Sequence, residues 1–169
     1  ENYTVDGEQR QNWVTLKYDS GGSEQWMRRW KDPNPAGGWA QAGTIRSDGM
    51  GGAYVSASTW PAFPRGEGFL PRGHTIRYSE KGEVIWEADY PAPSQEGQIL
   101  GWNTILKVNH PGSMKENVRL AGTFNGPASD GGPGMYTLKY DAYGEIVAGS
   151  EFIFFDFDPY SALCFDNKG

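Results

Sequence analysis

Apolar and polar residues alternate along short segments of this chain, and the segments are separated by glycine-containing turns. In residues 13–18, WVTLKY, every second side chain can face a core, which is the periodicity of a β-strand. Residues 19–22 have the chemistry of a turn, in which glycine supplies a positive φ angle. A second strand, predicted over residues 23–30, completes a β-hairpin.

This hairpin pattern occurs three times. The motif T-(L/I)-(K/R)-Y-x-x-x-G begins at Thr15, Thr75 and Thr137. A period of about 60 residues is typical of an array of one supersecondary unit. Further hairpins are predicted between the motifs, over residues 39–57 and 102–122. Two hairpins per period give four strands per repeat, which is the blade of a β-propeller.

We therefore predict one all-β domain over residues 1–169, with three four-stranded antiparallel repeats at roughly 1–46, 47–108 and 109–169. Residues 162–165 are typical of the first strand of a hairpin, and Asn2–Val5 is typical of its second strand. Known propellers have about four to eight blades, so three repeats leave an open ring. Either two copies close a six-bladed ring, with 162–165 of one copy pairing with Asn2–Val5 of the other, or the chain is part of a longer propeller.

Composition and charge narrow the possible functions. Seven Trp, nine Tyr and eight Phe provide large buried areas, and 24 Gly and 11 Pro favour many turns. The net charge of -6 argues against binding to nucleic acid or to an anionic membrane. No apolar run approaches the roughly 18 residues that a membrane-spanning helix needs. The single cysteine, Cys164, excludes an internal disulfide framework.

The residues around the three motifs follow a recognisable pattern. Its members are Lys17, Tyr18, Asp19, Gly22 and Trp26, then Asp48, Gly49, Tyr54 and Val55, and in the third copy Lys139, Tyr140, Asp141 and Gly144. This pattern resembles the SBBP-type bacterial β-propeller repeat. Ser79 stands where that family has Asp, and Val147 or a neighbour replaces the Trp of the third copy. The resemblance implies a secreted or cell-surface protein that binds or scaffolds, without shared catalytic residues.

Candidate binding residues lie in two of the predicted long connections, 58–73 and 152–160. They are the aromatic and arginine residues Trp60, Phe63, Arg65, Phe69, Arg72, Phe155 and Phe157. Arginine and aromatic side chains are enriched at the centres of protein interfaces, which favours a partner-binding loop face. The aromatic residues could equally pack beneath their own loops, and both interpretations remain open.

Catalysis finds little support in the sequence. The two histidines, His74 and His110, have no suitably spaced partner, and we expect each to be a surface or turn residue. We predict no catalytic residue, metal or cofactor. The predicted function is that of a secreted or periplasmic propeller acting as a protein-binding or structural subunit, with a protein or a second copy as its partner. A carbohydrate-binding, lectin-like propeller and a quinoprotein-like oxidoreductase are the alternatives.

Overall fold

The computed structural model describes residues 2–5, 8–31, 38–61, 72–90, 98–109, 116–125 and 133–153. These residues form strands joined by turns, and the predicted all-β class is confirmed. The strands are β1 (Asn2–Val5), β2 (Glu8–Gln11), β3 (Trp13–Tyr18), β4 (Glu24–Trp30), β5 (Gly38–Ser47), β6 (Ala53–Pro61), β7 (Arg72–Tyr78), β8 (Val84–Tyr90), β9 (Gln98–Asn109), β10 (Asn117–Asn125), β11 (Pro133–Tyr140) and β12 (Ile146–Ile153). A search of the described residues finds no helix that is long and apolar enough to cross a membrane.

Antiparallel pairing of consecutive strands dominates the topology. Strands β5 to β8 follow one another across one sheet, and β9 to β12 do the same across a second sheet. Strands β3 and β4 form a separate two-stranded hairpin. Each four-stranded series therefore consists of two hairpins, and the two series span residues 38–90 and 98–153.

The N-terminal strand differs in part from its predicted role. Asn2–Val5 is a strand, but it pairs with the adjacent segment Glu8–Gln11 in a hairpin. This hairpin joins β5 through one parallel pair, Gln11 with Trp39. The predicted partner, residues 162–165, lies outside the described residues.

The three motif hairpins are β3–β4, β7–β8 and β11–β12, and we call them the first, second and third hairpins. Their turn glycines all have positive φ angles: Gly22 at 82°, Gly82 at 76° and Gly144 at 88°. In the third turn Asp141 accepts hydrogen bonds from two backbone N–H groups. The Ser79 hydroxyl does the same in the second turn, so serine replaces the aspartate of the pattern without loss of the turn.

Two clusters of buried residues connect these elements. The first cluster joins the first hairpin to the β5–β8 sheet, and its buried members are Trp13, Trp26, Ala40, Val55, Ala57, Ile76 and Tyr78. The second joins that sheet to the β9–β12 sheet, and its buried members are Tyr54, Trp86, Leu106, Val118, Leu120, Tyr136, Leu138 and Tyr140. The core of the described structure is therefore divided between two junctions.

One contact is repeated at both junctions. The indole of Trp26, on β4, lies over Gly82, where an added Cβ would be 2.7 Å from Trp26 Cδ2. The indole of Trp86, on β8, lies over Gly144 at the same 2.7 Å. Each turn glycine is therefore needed for its positive φ and also for the close approach of a ring. We call this arrangement the Trp-on-Gly contact.

Candidate functional site

The outer face of the first hairpin, defined by Leu16, Tyr18 and Gly22, exposes apolar side chains. Leu16 is 41% exposed and Tyr18 is 54% exposed. The residues at the same motif positions in the other two hairpins are buried, with exposures of 0% for Ile76, 2% for Tyr78, 3% for Leu138 and 0% for Tyr140. The motif is the same in all three hairpins, so the difference lies in what covers each one.

In the second and third hairpins, a tryptophan from the preceding hairpin covers the buried tyrosine of the motif. The Trp26 ring lies 5.7 Å from the Tyr78 ring, and the Trp86 ring lies 5.6 Å from the Tyr140 ring. For the Gly22 turn no atom of the described residues lies within 4 Å of an added Cβ. The outer face of the first hairpin therefore has the residues of a junction without its Trp-on-Gly contact.

Strand pairing identifies the residue that replaces the third tryptophan. Trp26 stands opposite Lys17 and Trp86 stands opposite Arg77. In the third hairpin Lys139 stands opposite Ala148. The substituted position is therefore Ala148, the neighbour of Val147, and its short side chain is exposed.

The basic residues of the first and second motifs each bond to a later part of the chain. The Lys17 ammonium donates to the backbone carbonyls of Gly51, at 2.7 Å, and Glu80, at 3.1 Å. The Arg77 guanidinium donates to the carbonyl of Ala142, at 3.4 Å. These contacts run in the same direction as the Trp-on-Gly contacts.

Arg77 also takes part in a buried polar group. Its guanidinium lies 2.8 Å from the carboxylate of Glu116, which also accepts a hydrogen bond from the Tyr54 hydroxyl. Burial lowers the pKa of Arg77, and the charge of Asp48 opposes this effect. The group joins β6 and β7 to the residue that precedes β10, and so contributes to the second junction.

A second site lies where the first hairpin meets β7 and β8. His74 on β7 is 5% exposed, and its Nδ1 hydrogen-bonds with Asp89 on β8. Its Nε2 lies 3.4 Å from the carboxylate of Glu87. The prediction of a surface or turn histidine without a partner was wrong, because antiparallel pairing sets His74 opposite Asp89.

An aromatic pair lies against this histidine. The rings of Trp13 and Trp30 are stacked with centroids 4.3 Å apart, and the Trp30 centroid lies 4.9 Å from that of His74. A cleft of about 250 Å³ opens there, lined by Arg29, Trp30, Lys31, His74, Glu87, Ala88 and Asp89. The hydrogen bond with His74 holds the pKa of Asp89 below its usual value, although burial opposes this shift. The cleft therefore combines an indole surface with charged groups of both signs.

The predicted loop residues fall mostly outside the described structure. The predicted residues that lie outside the described ranges are Phe63, Arg65, Phe69, Phe155, Phe157 and His110.

The structure places the other two predicted site residues in strands. Trp60 belongs to β6, opposite Trp39, and Arg72 is the exposed first residue of β7, opposite Thr59. Their assignment to a loop was wrong, because pairing with β5 extends β6 to Pro61 and pairing with β6 starts β7 at Arg72.

A metal centre is not seen in the described ranges, where no three His, Cys, Asp or Glu residues are grouped suitably. Comparison with known proteins finds no matching family model and no curated protein with significant similarity.

Proposed function

We propose that this chain is a secreted or periplasmic β-propeller module that acts as a protein-binding or structural subunit of a larger assembly. Each four-stranded series would be one blade, and the ring would be completed by a second copy or by another chain. The family resemblance of the three motifs supports this function and location. The proposal assigns no catalytic role to the chain.

The exposed outer face of the first hairpin carries the proposal. Covering a large apolar side chain contributes about 1.5–3 kcal/mol relative to leaving it exposed. Leu16 and Tyr18 are partly exposed in the isolated chain and lack much of this stabilisation, whereas the corresponding residues at both internal junctions are buried. Exposed apolar residues of this kind are a feature of surfaces that bind another protein.

The native mass of the protein tests this function. A source-cell or secreted fraction would be separated by size, and the chain would be detected by immunoblotting beside the purified 18.7 kDa protein. Elution well above the monomer is the expected result. Elution of the native protein as a monomer would contradict the proposal.

Carbohydrate binding is a second candidate function, favoured by the cleft beside His74. The Trp30 indole offers a surface for stacking on a sugar ring, and Glu87 and Asp89 offer hydrogen-bond acceptors for hydroxyl groups. A glycan array would identify a bound sugar. The substitution Trp30→Ala should then weaken binding by about tenfold, equivalent to about 1.4 kcal/mol.

The matched control for this test is Tyr143→Ala. Tyr143 is an exposed aromatic residue in the third turn, away from the residues that line the cleft. It should leave glycan binding unchanged. Equal losses in both variants, or no bound glycan, would reject the cleft as a sugar site.

A further inference from the structure

We infer that the outer face of the first hairpin is a docking site for another repeat of the same type, one that supplies a tryptophan to the Gly22 turn. This inference rests on the proposed assembly function and names the chemistry of the partner. The occupant is a hairpin on a partner chain with Trp on its outer strand and a Lys or Arg opposite that Trp.

The first internal junction shows what such an occupant does, and the second repeats the ring and the basic donor but not the indole hydrogen bond. At the first junction Trp26 lies over Gly82, and its indole N–H donates to the carbonyl of Glu80 at 2.9 Å. Lys17, directly opposite Trp26, donates to the same carbonyl. The turn thus receives a ring on its glycine and a donor on the carbonyl two residues earlier.

The Gly22 turn retains the features that receive these groups. Its φ of 82° lies between those of Gly82 and Gly144, so the backbone has the same left-handed conformation. Among the described residues no atom lies within 4 Å of a Cβ added to the glycine, and Leu16 and Tyr18 are exposed beside it. The carbonyl of Ser20 holds the position that Glu80 occupies in the second turn.

A second copy of this chain does not supply the missing tryptophan by an equivalent contact. Its third hairpin keeps the basic residue, Lys139, but the residue opposite is Ala148. A methyl group cannot replace an indole on the glycine. The surface around Ala148 is instead an open groove of about 390 Å³, lined in part by Arg119 and Gly149. The missing partner therefore differs from this chain at the tryptophan position.

This difference suggests a direct test, the substitution Ala148→Trp. The variant gives the third hairpin the tryptophan that the other two have, opposite an existing lysine. Its side chain enters an open groove, so the fold is not expected to change. We expect the wild-type chain to have the monomer mass of 18.7 kDa by light scattering, and Ala148→Trp to have at least twice that mass at the same concentration.

Two control variants make the result specific. Val147→Trp adds an indole at the adjacent exposed position, which lies at the register shift of β12 and has no partner opposite it on β11. It should remain monomeric. Adding Tyr18→Glu to Ala148→Trp should restore the monomer, because it places a charge on the docking face. Circular dichroism would check that each variant is folded.

Three results would overturn the inference. They are a folded but monomeric Ala148→Trp protein, equal association of Val147→Trp, and wild-type association that Tyr18→Glu abolishes. The last would assign the face to an unmodified second copy. A native mass well above 18.7 kDa together with monomeric Ala148→Trp would leave the proposed function standing and reject only the tryptophan-bearing partner.

Discussion

Replacing turn glycines with alanine should separate backbone strain from packing at the junctions. Gly22→Ala and Gly82→Ala impose the same left-handed conformation on alanine, which costs about 1–2 kcal/mol. At Gly22 the new methyl group meets no atom of the described part of the chain within 4 Å. At Gly82 it meets the Trp26 ring at 2.7 Å, and this ring is 8% exposed and packed against Tyr78.

The clash at Gly82 should add an overpacking cost of about 1–3 kcal/mol. For a chain of this size, 1 kcal/mol lowers the unfolding temperature by about 2–4 °C. We therefore expect Gly82→Ala to unfold roughly 2–12 °C below Gly22→Ala.

Thermal unfolding followed by circular dichroism would measure this difference, with Gly144→Ala as an independent repeat beneath Trp86. Gly144→Ala should resemble Gly82→Ala, because the added Cβ meets the same indole atom at the same distance. Equal losses in Gly22→Ala and Gly82→Ala would refute the reasoning, since they would mean that the Trp-on-Gly contact is not tight in solution.

Two further predictions concern buried and partly buried charges. Arg77→Met alone should lower the free energy of unfolding by about 3–5 kcal/mol, because it removes a cation that lies 2.8 Å from the buried Glu116 carboxylate. The double variant Arg77→Met, Glu116→Met should lose less than the sum of the two single losses in urea unfolding, and additive losses would contradict this pairing. The pKa of Asp89 is lowered mainly by its hydrogen bond with His74, so its carboxylate stabilises the fold above the unfolded-state pKa of about 4. This stabilisation is lost as the pH falls through the lowered pKa. The unfolding temperature of Asp89→Asn should therefore fall less on acidification than that of the wild type. An unchanged pH profile in the variant would contradict this role of Asp89.

Local features of the sequence were sufficient to predict the hairpins. The alternation in residues 13–18 and the glycine that follows predicted β3 and its turn, because strand periodicity and positive φ are determined by neighbouring residues. Strand ends were harder to predict. Trp60 was assigned to a loop because the continuation of β6 depends on its pairing with β5, which is distant along the chain.

The candidate sites depend on contacts between elements, and this explains why they were missed. His74 and Asp89 are 15 residues apart and meet only through the register of β7 and β8. The sequence did contain one usable signal, a carboxylate at the position opposite the histidine in a predicted hairpin. The exposure of Leu16 and Tyr18 could not be predicted from the motif, because the same motif is buried in its other two copies.

The Trp-on-Gly contact also determines which symmetries an assembly can use. The second hairpin offers Trp86 on one face and receives Trp26 on the opposite face, so the junction has a direction. Two copies that met through the first-hairpin face alone would bring glycine turn against glycine turn, and neither would supply a ring. Association through these contacts must therefore be heterologous, with one face meeting a different one. Such contacts either close into a ring or continue as a filament, and the rotation between successive hairpins decides which of the two forms.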